Sequence, residues 1–307
     1  MPSRSLLALV GPTAVGKTDL SLRLARALDA EIVSVDSMLV YRGMDVGTAK
    51  PTGAQRAAVP HHLIDLVEPS EPFSIAMYQR AARAAIEGVG ARGRPPLLVG
   101  GSGLYLRAIV DDLAFPGTDP AVRGELEREA AAVGAARMYE RLATLDPVAA
   151  GRIEPANVRR TVRALEVPAI TGRPFSAFAE AWERYDPRAV RAAGLRMERD
   201  ALIARIRVRV DAMLGAGWLG EVRGLIDRGL GGWLTSSQAI GYAELALHVR
   251  GEMALEEATE AIVKRTATLA RRQMAWFRRD PRIRWFDVEG TGPVEGDGAI
   301  RAYLEDE

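Results

Sequence analysis

Cysteine is absent from the 307-residue chain, which excludes disulfides, thiol nucleophiles and cysteine metal sites. Histidine is nearly absent. His61, His62 and His248 are the three that occur, too few for a histidine-built metal centre, and they are read as structural or loop residues. No apolar run approaches the ~20 residues of a membrane-spanning helix. The N-terminal run ends at Gly11-Pro12, too early for a secretory signal. A cytoplasmic protein with no membrane partner is therefore expected. Lysine is scarce as well: of 41 Lys and Arg, only Lys17, Lys50 and Lys264 are lysines. A chain that uses arginine almost everywhere retains lysine where a compact ammonium is wanted rather than a guanidinium fork. The net charge of +1 gives by itself no hint of a polyanionic partner.

What is present is an ordinary globular composition, 48% hydrophobic and 26% charged, with enough chain for one large domain or two modest ones. The segment GPTAVGKT (Gly11, Pro12, Thr13, Ala14, Val15, Gly16, Lys17, Thr18) follows the strand-like run Leu6–Val10 and precedes a helical pattern from Asp19. In such a loop successive backbone N–H groups point at a phosphate, the lysine reaches the distal charge, and the Thr18 hydroxyl stands where Mg²⁺ is usually met. The spacing leaves open whether the phosphate belongs to a nucleotide.

Residues 1–115 read as α/β. A second strand, Glu31–Val35, ends at Asp36; a helix spans Ile75–Ala91; a strand Leu97–Val99 runs into Gly100-Gly101-Ser102-Gly103. Strands alternating with helices imply a parallel sheet whose ligands gather beyond the C-terminal strand ends, where the loop, Asp36 and Ser102 all fall. Residues 116–194 turn helical and rich in Ala, Arg and Glu, and are read as a helical insertion. Residues 195–307 are read as the second part of the core, with a last strand near Arg284–Val288.

Asp36 suits a turn, a metal ligand or a proton acceptor. Arg205 and Arg209 share a helix face and could clamp a diphosphate, or could simply be solvated. Two seven-residue series, Lys264/Arg271/Arg278 and Arg265/Arg272/Arg279, form a broad basic face, with Arg282 and Arg284 continuing the charge. On the same segment Ile262, Leu269 and Trp276 mark the side expected to be buried. Arg159, Arg160 and Arg163 make a second basic cluster. Two clusters beside a phosphate site suggest RNA rather than a small acid.

The motifs GPTAVGKT, VDSMLVYRGMDVGTAKPT (Val35–Thr52), PHHLID, LLVGGSGLYLRA, RRTVRALEV, QAIGY and LARRQMAWFRR occur in order over nearly the whole chain. Together they resemble the tRNA dimethylallyltransferase (isopentenyltransferase) family. The resemblance implies a P-loop kinase-like parallel sheet with a helical insertion that grips the tRNA anticodon stem-loop. It implies transfer of a dimethylallyl group from dimethylallyl diphosphate to N6 of the adenosine 3′ of the anticodon, in tRNAs reading U-initial codons, with Mg²⁺ and as a monomer.

By the same resemblance Asp36 is the base, while Lys17, Arg209 and the loop hold the diphosphate. Ser102 stands where relatives generally carry threonine, near the phosphate and the base. RNA contacts fall on Asp36, Ser37, Met38 and Leu39, on Ser102 and Arg123, and on Arg159, Arg160, Thr161, Val162 and Arg163. Further contacts fall on Gln238, Ala239, Ile240, Gly241, Tyr242 and Ala243, and on Arg271, Arg272 and Gln273. Leu39 departs from the glutamine many relatives carry, and Pro168 is expected to kink or shorten an insertion helix.

Overall fold

The computed structural model of the chain describes residues 6–111, 113–178, 180–289 and 297–306. Strand β1 (Leu6–Val10) is an unbroken apolar run whose last three residues are fully buried, as an interior parallel strand with both faces covered requires. Among the described residues it is central to a six-stranded parallel sheet. The other strands are β2 (Glu31–Val35), β3 (His61–His62), β4 (Pro96–Gly100), β5 (Val190–Arg196) and β6 (Ile283–Asp287). Their order is β3-β2-β4-β1-β5-β6.

From β1 the chain crosses through α1 (Lys17–Ala27) to β2, beyond the place that β4 fills. After β4 it returns on the other side of β1 to β5. That reversal opens a crevice at the C-terminal ends of β1 and β4, where open parallel sheets bind ligands. The expected P-loop α/β fold is thus the one observed.

The remaining helices are α2 (Gly53–Ala58), α3 (Ile75–Ala91), α4 (Gly103–Val110), α5 (Pro120–Leu145), α6 (Pro147–Ala150), α7 (Val158–Thr171), α8 (Arg199–Gly215), α9 (Trp218–Asp227), α10 (Tyr242–Val249), α11 (Leu255–Phe277) and α12 (Asp297–Glu305). The chain divides into two compact units, Met1–Val110 with Asp186–Glu307, and Asp111–Tyr185. The second unit has its own small core, in which Leu126, Met138 and Leu142 of α5 meet Val162 and Leu165 of α7. Its helix α5 is broken at Gly134, which takes positive φ.

Three expectations are corrected. Helix does not continue to Gly194, because Val190–Arg196 is strand β5, between β1 and β6. Its Ala192-Ala193 reads as helix by propensity, but the interior slot takes small residues: a Cβ on Gly194 would come within 2.4 Å of Ile283 Cγ2. Pro168 does not shorten its helix, since α7 runs on to Thr171 and Gly172 caps it in the left-handed region. Arg282 leaves the basic face; it is buried against the carboxylate of Asp280 at 2.7 Å.

The loop from Asp36 to Thr52 is tied down by Lys50, the second of the rare lysines. Its buried ammonium donates to the Tyr41 carbonyl (2.7 Å), to Asp65 (2.6 Å) and to Asp45. Three acceptors around one point charge suit an ammonium and not a planar fork. Lys50→Ala leaves the Tyr41 carbonyl without its donor and Asp65 with Arg56 alone, and is expected to cost about 2 kcal/mol, less than a fully broken buried pair, because Asp65 keeps that 2.7 Å partner and Asp45 is half in water. Denaturant unfolding measures it, and a loss under about 0.5 kcal/mol would refute the assignment.

Candidate active site

Gly16 takes φ 101°, left-handed, at the N-cap of α1, and no side chain caps the helix. The first N–H groups of α1 are thus offered, together with the positive end of the helix dipole, to an anion. Lys17 Nζ donates to the carbonyls of Gly11 (2.9 Å) and Pro12 (2.6 Å), folding back under the loop. Burial, and after it the neighbouring Arg209 guanidinium, lower its pKa to about 7, against the opposing pull of Asp36. A bound phosphate would restore the missing counter-charge.

Helix α8 supplies two arginines to the loop. Arg209 Nη1 donates to Thr13 Oγ1 at 3.2 Å and Arg205 Nη1 approaches the Val15 carbonyl at 3.4 Å. Both therefore face the phosphate loop, while Arg207 points away and pairs with Glu260. Burial lowers the pKa of Arg209, with Asp36 opposing.

Asp36 leaves the end of β2, and its Oδ1 accepts the Met38 N–H at 2.8 Å, a turn that orients the carboxylate. Ser102 leaves the end of β4, where its N–H donates to the Val35 carbonyl and its own carbonyl accepts from Leu106. Thr13, Asp36, Ser102 and Arg209 line one cavity of about 340 Å³. A neighbouring cavity of about 90 Å³ holds Lys17, Thr18 and Asp36. Thr18 and Asp36 give this smaller cavity a hydroxyl and a carboxylate. Such a donor set suits Mg²⁺, which takes one or two protein oxygens and completes its shell from phosphate and water. Among the described residues no cluster of three His, Asp or Glu forms an all-protein metal cage.

The larger cavity has an apolar wall that the sequence did not reveal. Ile206, Val210 and Met213 of α8 and Ile262, Leu269 and Trp276 of α11 line it with Trp218 and Ile240. Leu269 and Trp276, expected to be buried, are 37% and 42% exposed. They are uncovered because they face the cavity rather than the core. On α11 the lining residues Ile262, Thr266, Leu269, Gln273 and Trp276 follow a 4-3-4-3 spacing, a single helix face. The seven-residue period that ran through the arginines was also the period of this wall.

Glu221 of α9 is a second residue not read from the sequence. Its carboxylate accepts the N–H groups of Asp45 (2.7 Å), Val46 (2.8 Å) and Gly47 (3.1 Å) and the Tyr242 hydroxyl (2.7 Å). It holds the loop whose Gly47 and Thr48 form the cavity rim.

The residues assigned to RNA fall into different surroundings. Ser37, Met38 and Ile240 line the larger cavity and Leu39 the smaller. Gln238 and Ala243 are exposed, whereas Ala239, Gly241 and Tyr242 are buried and shape the site from beneath. Arg271 and Arg272 are exposed on α11, and Gln273 turns its side chain onto the loop, accepting the Thr13 N–H at 2.8 Å.

In the second unit Arg159 and Arg160 are exposed, but Thr161 and Val162 are buried in that unit's core. Arg123 and Arg163 both donate to the fully buried Glu166 at 2.7 Å. Burial raises the Glu166 pKa, yet the bonds from Arg123 and Arg163 outweigh it and hold the carboxyl below its ordinary value. These two arginines brace the unit whatever else they touch.

Comparison with known proteins agrees with this geometry. The family model described as IPP transferase matches residues 39–280, and the one described as Isopentenyl transferase matches residues 4–60. A tRNA dimethylallyltransferase of Desulforudis audaxviator is 47% identical over 304 residues, covering 98% of both chains. One of Salinispora arenicola is 50% identical over 298 residues, covering 97% of this chain and 86% of that one. Among solved structures, the full-length tRNA isopentenylpyrophosphate transferase of Bacillus halodurans superposes with a TM-score of 0.69 at 40% identity, covering 99% of this chain and 98% of that one. A eukaryotic dimethylallyltransferase acting on tRNA superposes with a TM-score of 0.76 at 26% identity, covering 93% of this chain and 74% of that one. The chain belongs to the IPP transferase family.

Proposed function

We propose that this chain transfers the dimethylallyl group from dimethylallyl diphosphate to N6 of the adenosine 3′ of the anticodon in tRNA. The observation that carries the reading is the two-ended cavity system. One end presents the uncapped α1 N-terminus, Lys17 and Arg209 to phosphate, and the other presents Met213, Leu269 and Trp276 to hydrocarbon. A prenyl diphosphate has those two ends.

In the reaction the bond between the allylic carbon and the diphosphate oxygen breaks, and its electron pair leaves with the diphosphate. The loop N–H groups, Lys17 and Arg209 stabilise that growing charge. The adenine N6 forms the new C–N bond and yields a proton to Asp36, which counters the weak nucleophilicity of an amine delocalised into its ring. Thr18 would hold Mg²⁺, which would supply further charge neutralisation on the leaving oxygens. Ser102, at the mouth between β4 and α4, is within the same cavity and serves base or phosphate positioning. A base in a single-stranded loop leaves its stack cheaply, which suits an enclosed site. All of these groups come from one chain, which supports action as a monomer.

The test is one assay with two donors. Purified protein, Mg²⁺ and unmodified tRNA receive dimethylallyl diphosphate or ATP, and product nucleosides are weighed. The expected result is a prenyl mass gain on one adenosine, with the diphosphate alone. ATP hydrolysis without that gain would refute the proposal. The exposed arginines of α11 give a separate expectation: Arg271→Ala with Arg272→Ala weakens tRNA binding and lowers the salt slope by about 1–2. Unchanged affinity and slope would make this face a solvated surface only.

A further inference from the structure

Gln273 is the one residue that bridges the basic helix α11 and the phosphate loop by a direct hydrogen bond among those described. Its neighbours Arg271 and Arg272 are exposed, but its own amide is turned inward. Oε1 accepts the Thr13 N–H at 2.8 Å. Nε2 lies against the turn after β4, so closely that a Cβ on Gly101 would come within 2.4 Å of it. Thr13 is held a second time, through its hydroxyl, by Arg209 at 3.2 Å. Gln273 lines both the 340 Å³ and the 90 Å³ cavities and so stands at their junction.

The donors of the loop divide accordingly. On the diphosphate reading, the uncapped N–H groups at the start of α1 would meet one phosphate, and Lys17 with Arg209, which flank the loop, would meet the next. Toward the N-terminal arm of the loop lies the Thr13 N–H, the donor a longer polyphosphate would reach for. There it meets an amide oxygen already bonded. A phosphate oxygen brought against Oε1 sets acceptor against acceptor, and the glutamine amide fills the space between Thr13 and Gly101.

We propose that Gln273 is a specificity-determining residue that closes the loop at two phosphates, so that the site accepts a diphosphate and turns away a triphosphate. The inference rests on the reading of the loop as a diphosphate site. It also gives a physical reason why a loop of nucleotide-binding type need not take ATP: the exclusion comes from a side chain on a distant helix, and the loop sequence itself is unaltered.

The experiment is calorimetric binding of inorganic pyrophosphate and inorganic tripolyphosphate, each with Mg²⁺, to the full chain and to two variants. Thermal melting first establishes that both variants are folded. The wild-type protein is expected to prefer pyrophosphate by about ten-fold or more, the scale of one displaced hydrogen bond together with its steric penalty. Gln273→Ala is expected to reduce that preference to about three-fold or less, mainly by gain of tripolyphosphate. Gln273→Met fills the same volume without the acceptor and is expected to keep most of the discrimination. Equal preference in the wild-type and alanine proteins would overturn the proposal, as would a wild-type protein that binds both anions alike. If the wild-type protein bound no pyrophosphate, the diphosphate reading of the loop would fall, and this inference with it.

Discussion

Asp36→Ala is expected to reduce prenyl transfer by about 10²–10⁴-fold, the range of a lost general base, while tRNA affinity changes little. The carboxylate is turned toward the cavity by its bond to the Met38 N–H and lies close enough to Lys17 and Arg209 to act on the charge of both. Removing it leaves the phosphate-binding groups intact and takes away the acceptor for the N6 proton. Asp36→Asn is the sharper variant, because it keeps the shape and the turn but not the basicity. Single-turnover transfer measured beside filter binding of tRNA distinguishes the roles. If both variants lost binding in the same proportion as rate, Asp36 would position the base rather than take its proton.

Arg209→Ala is expected to lower kcat/KM for dimethylallyl diphosphate by about 10²–10³-fold, comparable to loss of one oxyanion donor, with the Kd for tRNA nearly kept. Lys17→Ala is expected to behave alike. The two cations sit together, and each is held without a carboxylate partner of its own at hydrogen-bond distance among the bonds described. They form a unit waiting for a dianion, so the double variant should lose far less than the product of the single losses. Arg209→Lys should restore little, because a single ammonium cannot both reach Thr13 Oγ1 and address the phosphate. Full additivity in the cycle would show that the two cations act on different groups.

The chemistry of the site was more legible than its walls. GPTAVGKT carries its function in its spacing, because backbone N–H groups and one lysine suffice to make a phosphate cradle wherever a strand precedes and a helix follows. Asp36 and Ser102 were readable for a related reason: they sit at the ends of strands, and a parallel sheet brings strand ends together. Lys17 and Lys50 stood out against an arginine-rich background, but the sequence could not tell that one lies under the phosphate loop and the other ties Tyr41 and Asp45 of its own loop to Asp65.

The apolar wall was misread because Leu269 and Trp276 carry the same signal whether they face a core or an empty cavity. Periodicity reports which residues share a face and is silent about what that face meets. Strand β5 was missed for the converse reason. Ala192 and Ala193 favour helix and Gly194 favours neither helix nor strand, and only the close approach of β6 at Gly194 makes small residues the right ones for a strand here.

What the sequence determined alone is local: the phosphate loop, the alternation that makes a parallel sheet, the basic period of α11 and the ordered motifs that carry the family resemblance. These depend on residues near one another in the chain, so their meaning survives without coordinates. Only the tertiary structure decided that Arg209 reaches Thr13, that Gln273 caps the loop from 260 positions away, that Glu221 holds the Asp45–Gly47 turn, and that Trp276 lines a cavity. Each of those facts is a contact between segments distant in sequence. Such contacts are set by how the sheet and helices pack as a whole, which no local pattern encodes.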